Sequence, residues 1–210
     1  MFESLVLPVA LILLITSLVL VTVNDWRLSL LALAVQYVGV FSLVAIHLPL
    51  MIALTKLVAG WISVVVLGMA LSTSAGASSQ EPSAPSTPQG GWKNLTSVLS
   101  AWIFRLLAAA MVVLVVLTMA PLASEWISGV RFELVAGALI LMGLGLLHLG
   151  LTAVPYRIIL ALLTVLSGFE IVYAMVETST LVAGLLAGVN LGLATIGAYL
   201  LVTAAGEVEA

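Results

Sequence analysis

Four polar side chains lie deep inside long apolar stretches of the sequence, where side chains of this kind can pass protons or cations. They are Gln36, Lys56, Glu170 and Asn190. A helix rises about 1.5 Å per residue, which puts Glu170 roughly 20 Å past Arg157 and near mid-depth in a bilayer. Counted in the same way from the ends of their own apolar stretches, Gln36, Lys56 and Asn190 also lie within several ångströms of mid-depth. A charged side chain there costs at least about 2.5–3.5 kcal/mol on insertion scales, so it normally faces the protein interior or a hydrated cavity.

Each candidate is open to two interpretations. Lys56 and Glu170 either pass protons or cations, or form a permanent buried ion pair that holds helices together. Gln36 and Asn190 either belong to the same path or make hydrogen bonds between helices. His148, near the end of its apolar stretch, is either a path residue or a structural side chain.

The composition shows what must hold these side chains. Of 210 residues, 63% are hydrophobic and 7% are charged, whereas a soluble domain is about 25% charged. Apolar runs of 18 residues or more recur, and each is long enough to cross the hydrocarbon core. The runs are continuous and do not alternate, so helices satisfy the backbone and a barrel does not fit. We therefore predict an all-α, polytopic membrane helix bundle.

Breaks in the apolar runs divide the chain into about seven helices. We predict them at residues 5–23, 28–46, 49–72, 97–121, 132–153, 157–176 and 180–203. A polar turn at residues 24–27 ends the first helix, and Pro49 and Pro155 mark two further breaks, since proline disfavours helix at the residue before it. The N-terminus has no positive charge and no cleavage site, so we expect the first helix to be retained rather than removed as a signal.

A segment rich in Ser, Pro, Gly and Ala separates two membrane units. Residues 73–96 are predicted to form a flexible cytoplasmic linker. It would join a three-helix unit, residues 1–72, to a four-helix unit, residues 97–210. Lysine and arginine favour the cytoplasmic side of a membrane. If the N-terminus is outside, every Lys and Arg that is not at mid-depth lies on the cytoplasmic side, except Arg131. We therefore predict the N-terminus outside and the C-terminus in the cytoplasm, with Arg105 snorkelling toward the surface.

Several kinds of site are excluded or argued against. The chain has no cysteine, which excludes disulfides, thiolate metal sites, iron–sulfur ligation and cysteine nucleophiles. Its two histidines lie about a hundred residues apart and suggest no metal site. The net charge is −3 and the cations are scattered singly, which argues against nucleic acid as a partner. We expect neither a metal nor a cofactor in this chain.

The spacing of the deep polar residues suggests a tandem three-helix repeat. Gln36 and Lys56 are twenty residues apart, and so are Glu170 and Asn190. The first pair falls in predicted helices two and three, the second in helices six and seven. Helix four would then give both halves the same orientation in the membrane.

Two segments carry a family resemblance. LILMGLGLLHLGLTAVPYRIILALLTVLSGFEIVYAM resembles the first two helices of the K-type subunit of bacterial complex I, whose mid-membrane glutamate maps to Glu170. LITSLVLVTVNDWRLSLLALAVQYV, with a glutamine nine residues past the arginine, and the Thr55-Lys56 pair make the chain similar to component E of hydrogenase-4. This resemblance to the membrane subunits of group 4 hydrogenases covers nearly the whole chain except the linker.

The resemblance implies a non-redox membrane subunit that contributes to the path of protons, or of sodium ions, across the membrane arm. Glu170 would be the titrating carrier, Lys56 its nearby cation, and Gln36 and Asn190 would hold the water chain. It also implies antiporter-like and quinone-site partner subunits, the prokaryotic cytoplasmic membrane, and redox chemistry in peripheral subunits elsewhere. The family has an acidic residue where Asn190 stands, and an amide cannot take up and release a proton near neutral pH. A structural or assembly subunit and a small standalone transporter are the alternatives.

Overall fold

The computed structural model describes residues 6–46, 48–78, 91–126, 131–177 and 179–206. Within those ranges the chain forms seven helices, as predicted. They are α1 (Val6–Thr22), α2 (Trp26–Val44), α3 (Leu50–Ser78), α4 (Gly91–Trp126), α5 (Phe132–Gly150), α6 (Pro155–Val176) and α7 (Thr180–Gly206). Six of them, α2 to α7, contain stretches long and apolar enough to cross a membrane, and α1 is a shorter apolar helix of 17 residues. The chain is a polytopic, all-helical membrane protein.

The helices pack as two layers of three, with α4 outside them. Within one layer α2 contacts α1 and α3, and within the other α6 contacts α5 and α7. Across the layers each helix packs on its counterpart: α1 on α5, α2 on α6 and α3 on α7. The fourth helix contacts α5 and α1. Each helix of the first half thus packs on the equivalent helix of the second half, which agrees with a tandem three-helix repeat whose halves have the same orientation.

Close contact between α5 and α6 depends on two glycines. A Cβ on Gly168 of α6 would lie 2.7 Å from the carbonyl oxygen of Ala138, and one on Gly145 of α5 would lie 3.0 Å from the backbone nitrogen of Val165. Backbone atoms cannot move aside as a flexible side chain can. The two glycines therefore set the spacing of α5 and α6, and with it the position of Glu170 two residues further on.

Three predicted helix bounds, the end of the third helix and both ends of the fourth, were wrong by five or six residues. The third helix continues to Ser78 and the fourth begins at Gly91, so both extend into the predicted linker 73–96, whose residues 79–90 lie outside the described part of the chain. Hydroxyl groups at the end of α3 bond to carbonyls one turn back, as Thr73 Oγ1 does to Met69 at 2.9 Å, which satisfies their polarity within the helix. The fourth helix also continues past Pro121, because apolar helices in a membrane tolerate the one missing backbone hydrogen bond.

Candidate functional site

Lys56 and Glu170 meet between the two helix layers. The Nζ atom of Lys56 on α3 lies 3.2 Å from Oε1 of Glu170 on α6, and each side chain is only 3% exposed. The two atoms have the distance of an ion pair but not hydrogen-bond geometry, and neither has a hydrogen-bond partner. Each residue lies six positions from the same end of the bundle, which is a depth of roughly 9 Å along the helix axes. The sequence placed both residues inside the membrane, and the structure brings them into contact.

Tyr37 and Asn190 form a second buried contact nearby. The hydroxyl of Tyr37 on α2 donates to Oδ1 of Asn190 on α7 at 2.9 Å, and the backbone oxygen of Asn190 accepts from Ser63 Oγ at 3.4 Å. Glu170 lies close enough to Tyr37 for its charge to act on the tyrosine hydroxyl. We call Tyr37, Lys56, Glu170 and Asn190 the central polar cluster; it joins α2, α3, α6 and α7.

Sequence reasoning missed Tyr37. A single tyrosine in an apolar helix is usually read as packing or as part of an interfacial belt. The signal that was present is its position one residue after Gln36, well inside helix two, because a buried tyrosine hydroxyl normally requires a hydrogen-bond partner. A glycine positions the ring: a Cβ on Gly60 of α3 would lie 2.5 Å from the Tyr37 ring. The ring therefore rests directly on the backbone of α3.

Gln36 lies at the same level of α2 but bonds to none of the cluster. Its side chain is fully buried, and neither its amide nitrogen nor its oxygen has a hydrogen-bond partner in the described chain. Leaving a buried amide unpaired costs on the order of 1–3 kcal/mol, so such groups in folded proteins nearly always have a partner, water included. Gln36 is therefore a site where buried water is expected beside the central polar cluster.

His148 belongs to a separate site. Its Nε2 accepts a hydrogen bond from Nε of Arg157 at 3.3 Å, and Arg157 lies thirteen residues before Glu170, roughly 20 Å along α6. The Nη1 atom of Arg157 also donates to Oδ1 of Asn24 at 2.6 Å, and Arg105 donates to the same oxygen at 3.1 Å. We call Asn24, Arg105, His148 and Arg157 the arginine cluster. His148 was grouped with the predicted ion path, and the structure separates it from the other four residues.

Arg157 also caps the first helix. Its Nη2 lies 3.4, 3.2 and 3.3 Å from the carbonyl oxygens of Leu20, Val21 and Val23. These are carbonyls of the last turn of α1 and the residue after it, which have no partner within the helix. A cation at a helix C-terminus is also favoured by the helix dipole. The buried guanidinium therefore joins the start of α6 to the end of α1 without a carboxylate.

The glycine stripe of α7 lies outside both sites. A Cβ added at Gly184, Gly188 or Gly192 would meet nothing within 4 Å. Within the described part of the chain these three positions therefore have open space beside them. Asn190 points instead toward α2 and α3, on the other face of α7.

The central polar cluster holds a carboxylate, which can take up and release a proton or bind a cation, and an ammonium group that balances its charge. Among the described residues, no three His, Cys, Asp or Glu side chains come together in a group able to hold a metal ion. Comparison with known protein families finds no family that matches this chain. No curated protein and no solved structure matches it either.

Proposed function

We propose that this chain is a non-redox membrane subunit of a complex I-like or group 4 hydrogenase-like oxidoreductase, and that it contributes to the path of protons or sodium ions. The observation that carries the proposal is the contact between Lys56 and Glu170, an ion pair 3.2 Å long with both side chains 3% exposed. Charged residues buried inside a membrane are costly even when they are paired, and they commonly mark ion pathways and proton relays.

The pair and its surroundings suit a relay. A proton that reaches Glu170 cancels the carboxylate charge, so the attraction that holds Lys56 is lost and its ammonium group is free to move. Loss of the proton restores the pair. The unpaired amide of Gln36 would hold water on one side. Tyr37 and Asn190, joined by a 2.9 Å hydrogen bond, would keep α2 and α7 in register around the carboxylate.

In this proposal Asn190 positions its neighbours and carries no proton. The resemblance implies an acid at that place, but an amide that accepts from Tyr37 has no proton to exchange near neutral pH. Glu170 is then the one carboxylate in the central polar cluster. The path would run through Glu170 and Lys56 and would not need a second acid on α7.

The proposed surroundings are the cytoplasmic membrane of a prokaryote, antiporter-like and quinone-site subunits, and the lipid bilayer. The orientation, with the N-terminus outside and the C-terminus inside, rests on the positive-inside tendency. Arg105 and Arg157 meet at Asn24, so these cations gather at one end of the bundle, whereas Arg131 precedes α5 at the other end.

A structural role is the second candidate, and the ion pair itself favours it. A permanent pair between Lys56 and Glu170 would hold the two helix layers together without moving any ion. With this structural role, the chain would still be a membrane subunit of the proposed oxidoreductase complex.

Purification of the tagged chain from native membranes, followed by identification of its partners, tests the proposed complex. Redox subunits with antiporter-like membrane subunits support it, and a chain recovered without partners contradicts it. Proton pumping by the same membranes then tests the relay. We expect Glu170→Gln to assemble at a reduced level and to pump less per assembled complex, whereas Glu125→Gln, at an exposed position, should leave both unchanged. Normal pumping per assembled complex in Glu170→Gln would favour the structural role.

A further inference from the structure

An apolar groove runs along the outside of the bundle between α1 and α4. Its volume is about 330 Å³. Leu14 and Leu18 line it on α1, and residues from Leu106 to Leu117 line it on α4. No polar side chain is among the lining residues, so the groove offers van der Waals contact and no hydrogen bonds.

The groove has the length of one membrane leaflet. From Leu106 to Leu117 the helix rises roughly 16 Å, which is about half of a hydrocarbon core of about 30 Å. Of the six long apolar helices, α4 has the smallest buried share, 17%, so this side of the bundle is open to the bilayer. A hydrocarbon chain that enters from one membrane surface would fill the groove and end near mid-depth.

The mouth of the groove is positively charged. Arg105 immediately precedes Leu106, and its Nη1 donates to Asn24 at 3.1 Å. The Arg157 guanidinium bonds to the same side-chain oxygen at 2.6 Å. Within the described part of the chain, neither arginine forms a salt bridge with a carboxylate. Arg157 uses its donors on His148, Asn24 and the end of α1, whereas Arg105 retains N–H groups that bond to nothing described.

We propose that the groove between α1 and α4 binds an anionic phospholipid, with one acyl chain along the groove and the phosphate on Arg105. The planar guanidinium matches the oxygens of a phosphate, to which it can donate two parallel hydrogen bonds. Arg157, which bonds to the same Asn24 side chain, would add positive charge to the site without touching the lipid. The charged mouth of the groove lies roughly 20 Å from Glu170 along the bundle, and the proposal does not depend on the proposed function.

Native mass spectrometry of the full chain in detergent tests the proposal. Phosphatidylglycerol and phosphatidylcholine with the same acyl chains are titrated separately. One arginine near a membrane surface contributes about fivefold to the binding of an anionic lipid. We therefore expect phosphatidylglycerol to bind at least fivefold more tightly than phosphatidylcholine. Equal binding of the two lipids would overturn the proposal.

Two pairs of variants separate the headgroup from the groove. Arg105→Gln should remove most of the preference for phosphatidylglycerol, whereas Arg27→Gln, which removes an exposed cation at the same end, should retain it. Ala110→Phe should fill the groove and weaken binding of both lipids at least fivefold. Val115→Phe, on an exposed part of α4 outside the groove, should not. Equal losses in Arg105→Gln and Arg27→Gln, or equal binding in Ala110→Phe and Val115→Phe, would contradict the site.

Discussion

Breaking the ion pair between Lys56 and Glu170 should destabilise the chain, and removing both charges should restore much of the loss. Glu170→Gln leaves the ammonium of Lys56 buried with no partner, since Nζ has no hydrogen bond of its own. At 3.2 Å, the attraction between unit charges is about 5 kcal/mol for an effective dielectric constant of about 20. Removing one partner of a buried pair typically costs about 3–5 kcal/mol. We expect costs in that range for Glu170→Gln and for Lys56→Met.

The double variant Lys56→Met with Glu170→Gln carries no unpaired charge. It should recover all but about 1–2 kcal/mol, because replacing a buried ion pair by neutral groups of similar size is often close to neutral. The measurement is reversible unfolding in mixed micelles, with incorporation into the native membrane as a second readout. The exposed pair Arg131 and Glu133, 3.3 Å apart, serves as the control, and neutralising either partner should cost less than about 1 kcal/mol. Additive costs at Lys56 and Glu170 would refute the reasoning.

Three further predictions follow from the packing. Arg157→Gln should lower the unfolding free energy by at least about 2 kcal/mol, since the end of α1 loses its charged donor; unchanged thermal unfolding would contradict the proposed cap. Gly168→Ala should cost about 1–3 kcal/mol, because its Cβ meets backbone atoms of α5, while Gly188→Ala, with open space around it, should cost nothing measurable by the same assay. The chain lacks cysteine, so single cysteines report topology: an impermeant thiol reagent outside the cell should label Glu125→Cys and not Ala153→Cys, and the reverse pattern would invert the orientation.

The helices themselves were predictable from the sequence because apolar runs and proline breaks are local signals. Pro49 and Pro155 mark the start of α3 and α6 within one residue. The fourth helix was predicted to end at residue 121 but continues to Trp126, since a proline that breaks a helix in water is tolerated inside an apolar one. The helix bounds near residues 73 and 96 were also misjudged. At the end of α3 the reason is that small polar residues, which suggest a linker, satisfy their hydroxyls within the helix.

The candidate site was predictable in part. Lys56 and Glu170 were recognisable singly because charge is rare and costly in an apolar helix, but their contact depends on how the two helix layers stack on each other. No pairing for Arg157 could be read from the sequence, because its partners are carbonyl oxygens at and just after the end of α1, more than 130 positions away. Any residue type supplies such carbonyls. Tyr37 escaped notice for a similar reason, since only the folded arrangement of the helices brings its hydroxyl to Asn190 of α7.

Exchange of a proton at Glu170 during turnover is the central claim, and difference infrared spectroscopy of the assembled complex tests it most directly. A protonated carboxylic acid absorbs separately from a carboxylate, so a carrier must show one form giving way to the other as the complex turns over. We predict such a carboxyl band, present in the Glu125→Gln control and absent in Glu170→Gln. A spectrum that is the same with and without Glu170 would contradict the account and leave the carboxylate as a structural partner of Lys56.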